Sequence, residues 1–205
     1  MSAAEASAAH PKPVAQKAAL WALACLALMA VYAAILLAMG RSAICPCGTI
    51  ELWHGASNDS GTSQHISDWY SLSHVIHGFL FYGALHLVGR LRGKALGLSV
   101  ALFAAIAVEG GWELLENSSF IIDRYRETTA SDAYAGDSVL NSMADISFMA
   151  LGFLVSRVAP VWIVVAAAIF MELLALYVIR DNLTLNVLMI LWPLEAIRDW
   201  QAAVR

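Results

Sequence analysis

Residues 68–89 read DWYSLSHVIHGFLFYGALHLVG. The run is long and apolar enough for a membrane helix, yet His74 and His77 stand near its start, one turn apart. A charged side chain facing lipid is costly. Two imidazoles in such a helix therefore need polar partners, and the rest of the chain supplies candidates.

Of the 205 residues, 60% are hydrophobic and 14% charged, with a formal net charge of −4. A soluble domain carries about 25% charged residues. The composition predicts an all-α, polytopic membrane helix bundle whose first partner is the lipid bilayer. The negative charge excludes a nucleic-acid partner. Three cysteines are too few for a disulfide-stapled fold.

Apolar runs at 18–39, 72–89, 95–116, 138–157 and 161–179 predict five spans, the fourth being the weakest. The first is long for a signal peptide and lacks a clean cleavage site, so it is expected to anchor the chain. Pro160 suits the first turn of the fifth helix, where a missing N–H is harmless. The segment LTLNVLMILWPLEAIRDWQ (183–201) has an apolar part of only about nine residues before Pro193, too short to cross. With Trp192 and Trp200 it predicts an interfacial or re-entrant helix, a sixth span being the alternative. The chain thus divides into a flexible tail (1–17), a transmembrane bundle (18–182) and an interfacial C-terminal segment (183–205).

Lysine and arginine in short loops mark the cytoplasmic side. Lys12 and Lys17 precede the first span, Arg90, Arg92 and Lys94 lie between the second and third, and Arg157 lies between the fourth and fifth. This places the N-terminus in the cytoplasm and loops 40–71 and 117–137 outside. Arg41, Arg124 and Arg126 fall outside too, but the compact cluster at 90–94 sets the orientation.

On that topology the polar residues collect at one end. His74 and His77 open the second span, Glu109, Glu113 and Glu116 close the third, and Asp137, Asn141 and Asp145 open the fourth. At about 1.5 Å per residue, all lie within roughly 12 Å of the outer boundary. The spacings i, i+3 (His74, His77), i, i+4, i+7 (the three glutamates) and i, i+4 (Asn141, Asp145) place each set on one helical stripe. They are expected to face one another around an outward-opening pocket, with Gly78, Gly83, Gly110, Gly111 and Gly152 allowing close helix approach.

The stretches DWYSLSHVIHGFLFYG (68–83), VEGGWELLENSSFIIDRYRE (108–127), YAGDSVLNSMADISFMALGF (134–153) and IRDNLTLNVLMILWP (179–193) resemble an uncharacterised family of bacterial multi-pass inner-membrane proteins, a domain of unknown function. The resemblance covers roughly residues 40–200 and implies an inner-membrane location but no activity. The chain is also distantly similar to VanZ-like membrane proteins, associated with glycopeptide-antibiotic resistance. The matching positions would be His77, Glu113, Arg124 or Arg126, and Asp137 with Asn141.

Several chemistries suit this residue set. His74, His77 and Glu113 are suitable ligands for a divalent metal, Zn, Mn or Fe. His77 and Glu113 are the candidates for acid/base catalysis, as in a hydrolase or transferase acting on an outer-leaflet lipid. Arg124 and Arg126 could clamp an anion, a lipid headgroup or a phosphate. His74, Glu109, Asp137, Asn141 and Asp145 would complete the pocket. A non-catalytic accessory role, or a purely structural polar network, needs no reaction at all. Cys45 and Cys47 in ICPCG would face an oxidising compartment, where a disulfide, a partner's cysteine or free thiols are all open. His54 and His65 read as solvated loop residues within reach of the pocket mouth.

Overall fold

The computed structural model describes residues 13–130 and 134–203, and residues 1–12 of the expected tail lie outside that range. Those residues form eight helices and no strand. Helices α1 (Pro13–Ala38), α2 (Ser71–Leu91), α3 (Leu98–Glu116), α5 (Val139–Val158) and α6 (Val161–Ile179) are each long and apolar enough to cross a membrane. Helix α4 (Ser119–Thr128) lies in the loop between α3 and α5. Helices α7 (Leu183–Leu191) and α8 (Glu195–Ala202) finish the chain. At about 1.5 Å per residue, the nine residues of α7 are too short to span, which removes the sixth-span alternative.

Local signals set the boundaries. The Ser118 and Ser138 hydroxyls accept from the Ile121 and Asn141 amides at the starts of α4 and α5. The Asn182 side chain accepts from Leu185 N at the start of α7. Each satisfies an amide that has no partner in the first helical turn. Pro160 precedes α6, and Arg180, in the left-handed region (φ 54°), ends it. The Glu172 carboxylate reaches from α6 to the first turn of α7, accepting from Leu183 N and Thr184 N, both at 3.0 Å. It holds α7 against α6 and takes no part in the polar cluster.

Helix α5 is the most enclosed span, whereas α1 and α6 present most of their surface outward. The core is Ala101, Ala105 and Ile106 of α3 against Ile146, Met149 and Phe153 of α5. The most extensive contact joins α2 to α5. Gly78 and Gly152 make it backbone to backbone. A Cβ on Gly78 would collide with the Met149 carbonyl and the Phe153 amide, and one on Gly152 with the Val75 carbonyl. Tyr32 of α1 lies against Gly110 of α3 and donates to Ala107 O at 2.9 Å.

Overpacking a close contact costs about 1–3 kcal/mol. Gly78→Ala or Gly152→Ala should therefore lower the unfolding temperature in detergent by several degrees or abolish folded protein. Gly83→Ala and Gly111→Ala, whose Cβ would meet nothing within 4 Å, should leave it unchanged. Equal effects from all four would contradict the packing.

Candidate functional site

The three central spans deliver their polar stripes to one place. Glu109 of α3 is fully buried, and its Oε1 accepts from both His74 Nδ1 (2.6 Å) and His77 Nδ1 (3.0 Å) of α2. With both Nδ1–H groups committed, each imidazole keeps Nε2 for another partner. His74 Nε2 lies 3.7 Å from Asp145 Oδ2 of α5, whose other oxygen accepts from the Ser71 hydroxyl at 3.0 Å. Glu113 Oε1 is 3.6 Å from His74 Nδ1. Glu113 is fully buried, yet neither carboxylate oxygen accepts a hydrogen bond from the described residues.

Asp137 and Asn141 sit at the rim with different jobs. Asp137 accepts from Asn117 Nδ2 (2.9 Å) and the Tyr134 hydroxyl (2.9 Å). Its amide donates to Asn117 Oδ1 at 2.7 Å. Burial pushes the Asp137 carboxyl up to about 6 against those hydrogen bonds. Asn141 Nδ2 donates to the His65 carbonyl at 2.9 Å, so it ties the 40–70 loop to α5.

A small cavity of about 40 Å³ and a cleft of about 270 Å³ both reach His74, with Glu116, Tyr70, Tyr125 and Asn186 bordering each. Among the described residues no lysine or arginine lines either one. Burial raises the Tyr125 and Tyr134 phenols well above their ordinary value, so they face the cavity as neutral hydroxyls.

The structure does not bring Arg124 and Arg126 into this space. Arg124 Nε donates to Ile190 O (3.0 Å) at the end of α7, and Arg126 Nε to Tyr134 O (2.6 Å). Tyr125, between them in sequence, borders both the cavity and the cleft. His65 is likewise not solvated. It is 2% exposed and its Nδ1 accepts from Glu51 N at 3.2 Å. His54 lies between carboxylates, Nδ1 at 2.8 Å from Glu51 Oε2 and Nε2 at 2.9 Å from Asp59 Oδ1.

Tyr70, Ser71, Tyr125, Tyr134 and Asn186 are the site neighbours that the sequence reading passed over. Ser71 was within reach, three residues before His74 on the same stripe. Tyr125 and Tyr134 lie in the connection between α3 and α5, whose fold no periodicity announces.

The Asp137 carboxyl generates a pH prediction. Its folded value near 6 exceeds the ordinary 3.8, so its contribution to stability is intact below pH 4 and lost as pH rises through 6. Thermal unfolding from pH 4 to 6.5 should therefore fall more steeply for the native protein than for Asp137→Asn. Parallel profiles would show that the carboxyl is not held in this way.

Residues 36–203 match the family described as Protein of unknown function (DUF2585). A UPF0314 protein of Novosphingobium aromaticivorans is 59% identical over 168 residues, 82% of this chain and 85% of that one. A UPF0314 protein of Rhizobium johnstonii is 54% identical over 184 residues, 90% and 92% of the two chains. One from Brucella anthropi is 53% identical over 193 residues, 94% and 96%. No solved structure matches. These matches do not bear on the likeness to VanZ-like proteins. The family match begins in the last residues of α1 and runs through every later helix and every residue of the cluster, and the chain belongs to the DUF2585 family of uncharacterised bacterial proteins.

Proposed function

We propose that the chain is a multi-pass inner-membrane protein that holds a divalent cation in an outward-facing pocket centred on His74. The observation that carries this reading is Glu113, a fully buried carboxyl group whose two oxygens find no hydrogen-bond donor among the described residues. Such a group is costly to bury unless a proton or a cation satisfies it. Donor atoms of His74, Glu113 and Glu116 lie within 4.8 Å of one another. Mixed imidazole and carboxylate donors suit Zn, Mn or Fe. Glu109, taking the Nδ1–H of both histidines, plays the part of the carboxylate that orients metal-bound imidazoles.

The acidic lining favours a cation over the anionic lipid or phosphate headgroup, because Arg124 and Arg126 make their bonds elsewhere. The inward N-terminus and the outward pocket are supported by Arg90 in the last turn of α2 and by Arg92 and Lys94 just after it, at the end opposite His74. The reading assigns no reaction. His77 and Glu113 are the groups a reaction would use.

Elemental mass spectrometry of protein purified in mild detergent tests the proposal. Near-stoichiometric Zn, Mn or Fe is expected, lost from His74→Ala/His77→Ala and from Glu113→Gln variants that still fold. A cation at about 100 times its Kd would stabilise the fold by about 2.7 kcal/mol. Adding metal to stripped protein should therefore raise the unfolding temperature by several degrees in the native chain only. Protein that neither carries nor responds to these metals would overturn the reading and leave the cluster as a network that fixes helix register.

A further inference from the structure

Outside the cluster, the 40–70 loop carries a disulfide between Cys45 and Cys47, with one residue between them. Closing so short a loop restricts the unfolded chain far less than closing a long one, so the bridge adds little as a staple. Its surroundings suit a different task. Cys45 is 2% exposed, whereas Cys47 is open to solvent. Both sulfurs already receive donors: the Cys47 amide points at Cys45 Sγ (3.2 Å) and the Thr49 hydroxyl lies 3.1 Å from Cys47 Sγ. A ring nitrogen of His65 lies within 4.8 Å of both sulfurs. His65 Nδ1 accepts from Glu51 N, which puts the proton of the neutral ring on Nε2. Cys47 also borders an open groove of about 540 Å³, which Thr62 and Asp137 line as well.

We propose that Cys45 and Cys47 form a thiol–disulfide exchange centre that accepts two electrons from an external dithiol. A thiolate of the dithiol enters along the groove and attacks Cys47 Sγ. The bond between the two sulfurs breaks, and Cys45 leaves as a thiolate that accepts from the Cys47 amide. The dithiol's second thiolate then attacks its own sulfur in the mixed disulfide and releases Cys47. The dithiol ends as a disulfide, and its two protons pass through solvent to Cys45 and Cys47. Donors aimed at both sulfurs stabilise the thiolates that leave, which favours exchange. The order of attack follows from exposure, since only Cys47 is open.

The test uses the full-length protein in detergent, equilibrated in glutathione buffers of graded ratio, alkylated, and read by peptide mass spectrometry. The native protein should show a reversible two-electron transition at Cys45 and Cys47 without loss of the thermal unfolding transition. Cys45→Ser should accumulate a glutathione mixed disulfide at Cys47. Cys47→Ser should react at Cys45 at least about tenfold more slowly, because that thiol is buried. Thr49→Val should move the midpoint towards more reducing buffers. A bridge that yields only when the protein unfolds, thiols that never pair, or equal reaction of the two single-cysteine variants would each overturn the proposal. The native-protein titration needs no variant to fold.

Discussion

The contact between α2 and α5 sets everything else. In a bilayer, helices gain nothing from leaving the lipid tails, so association rests on close packing and polar bonds. Gly78 and Gly152 let the two backbones touch where any Cβ would collide. Each contact lies near a site residue: Gly78 is one turn beyond His74, and Met149, against which it packs, is one turn beyond Asp145. The spacing of His74 from Asp145 is thus fixed by backbone contact and not by the flexibility of long side chains.

The electrostatics of the cluster follow from that fixed spacing. Glu109 is satisfied twice over, by His74 and His77. Asp145 has the Ser71 hydroxyl and faces His74. Glu113 has proximity to His74 but no hydrogen bond, and Glu116 adds a further carboxyl at the cavity wall. Two imidazoles cannot neutralise that many carboxylates. The excess must be met by protons or by a cation, because burial without either is heavily penalised. Among the described residues the site has surplus acid and no lysine or arginine, so the charge that balances it is not supplied by a basic side chain.

What the sequence disclosed divides along a physical line. Spans and polar stripes were legible because helical periodicity and hydropathy are local properties: His74 of α2 meets Glu109 and Glu113 of α3 and Asp145 of α5, and Asn141 lines the same cavity. The loops were not legible. Within the connection between α3 and α5, Ser119–Thr128 fold as α4, and that short helix brings Tyr125 to the cavity and leaves Arg124 and Arg126 bonded to neighbouring backbone. Glu172 sits on a span yet serves α7, because the reversal at Arg180 brings the α7 amides back to it. His65 is buried by contacts with Glu51 and Asn141, far away in sequence. In each case a long-range bond decides where the side chain points, and no window of neighbouring residues contains it.

Those long-range bonds also join the two unusual features of the molecule. The segment 63–68 forms a strap over the N-terminal ends of α2 and α5. Ser138 N donates to Ser63 O (3.0 Å), the Ser138 hydroxyl to Gln64 O (2.9 Å) and Asn141 Nδ2 to His65 O (2.9 Å). Asp68 closes the strap on the α2 side, accepting from Ser63 N and Tyr70 N, each at 2.8 Å. His65 therefore belongs at once to the surroundings of the disulfide and to the cover of the membrane cluster, one helical turn from Asp145 through Asn141. Its carbonyl holds Asn141 while its ring approaches Cys45 and Cys47. A side chain so placed cannot move to serve a thiolate without loading the strap, so the loop and the cluster are mechanically one unit even though one lies outside the spans and the other within them.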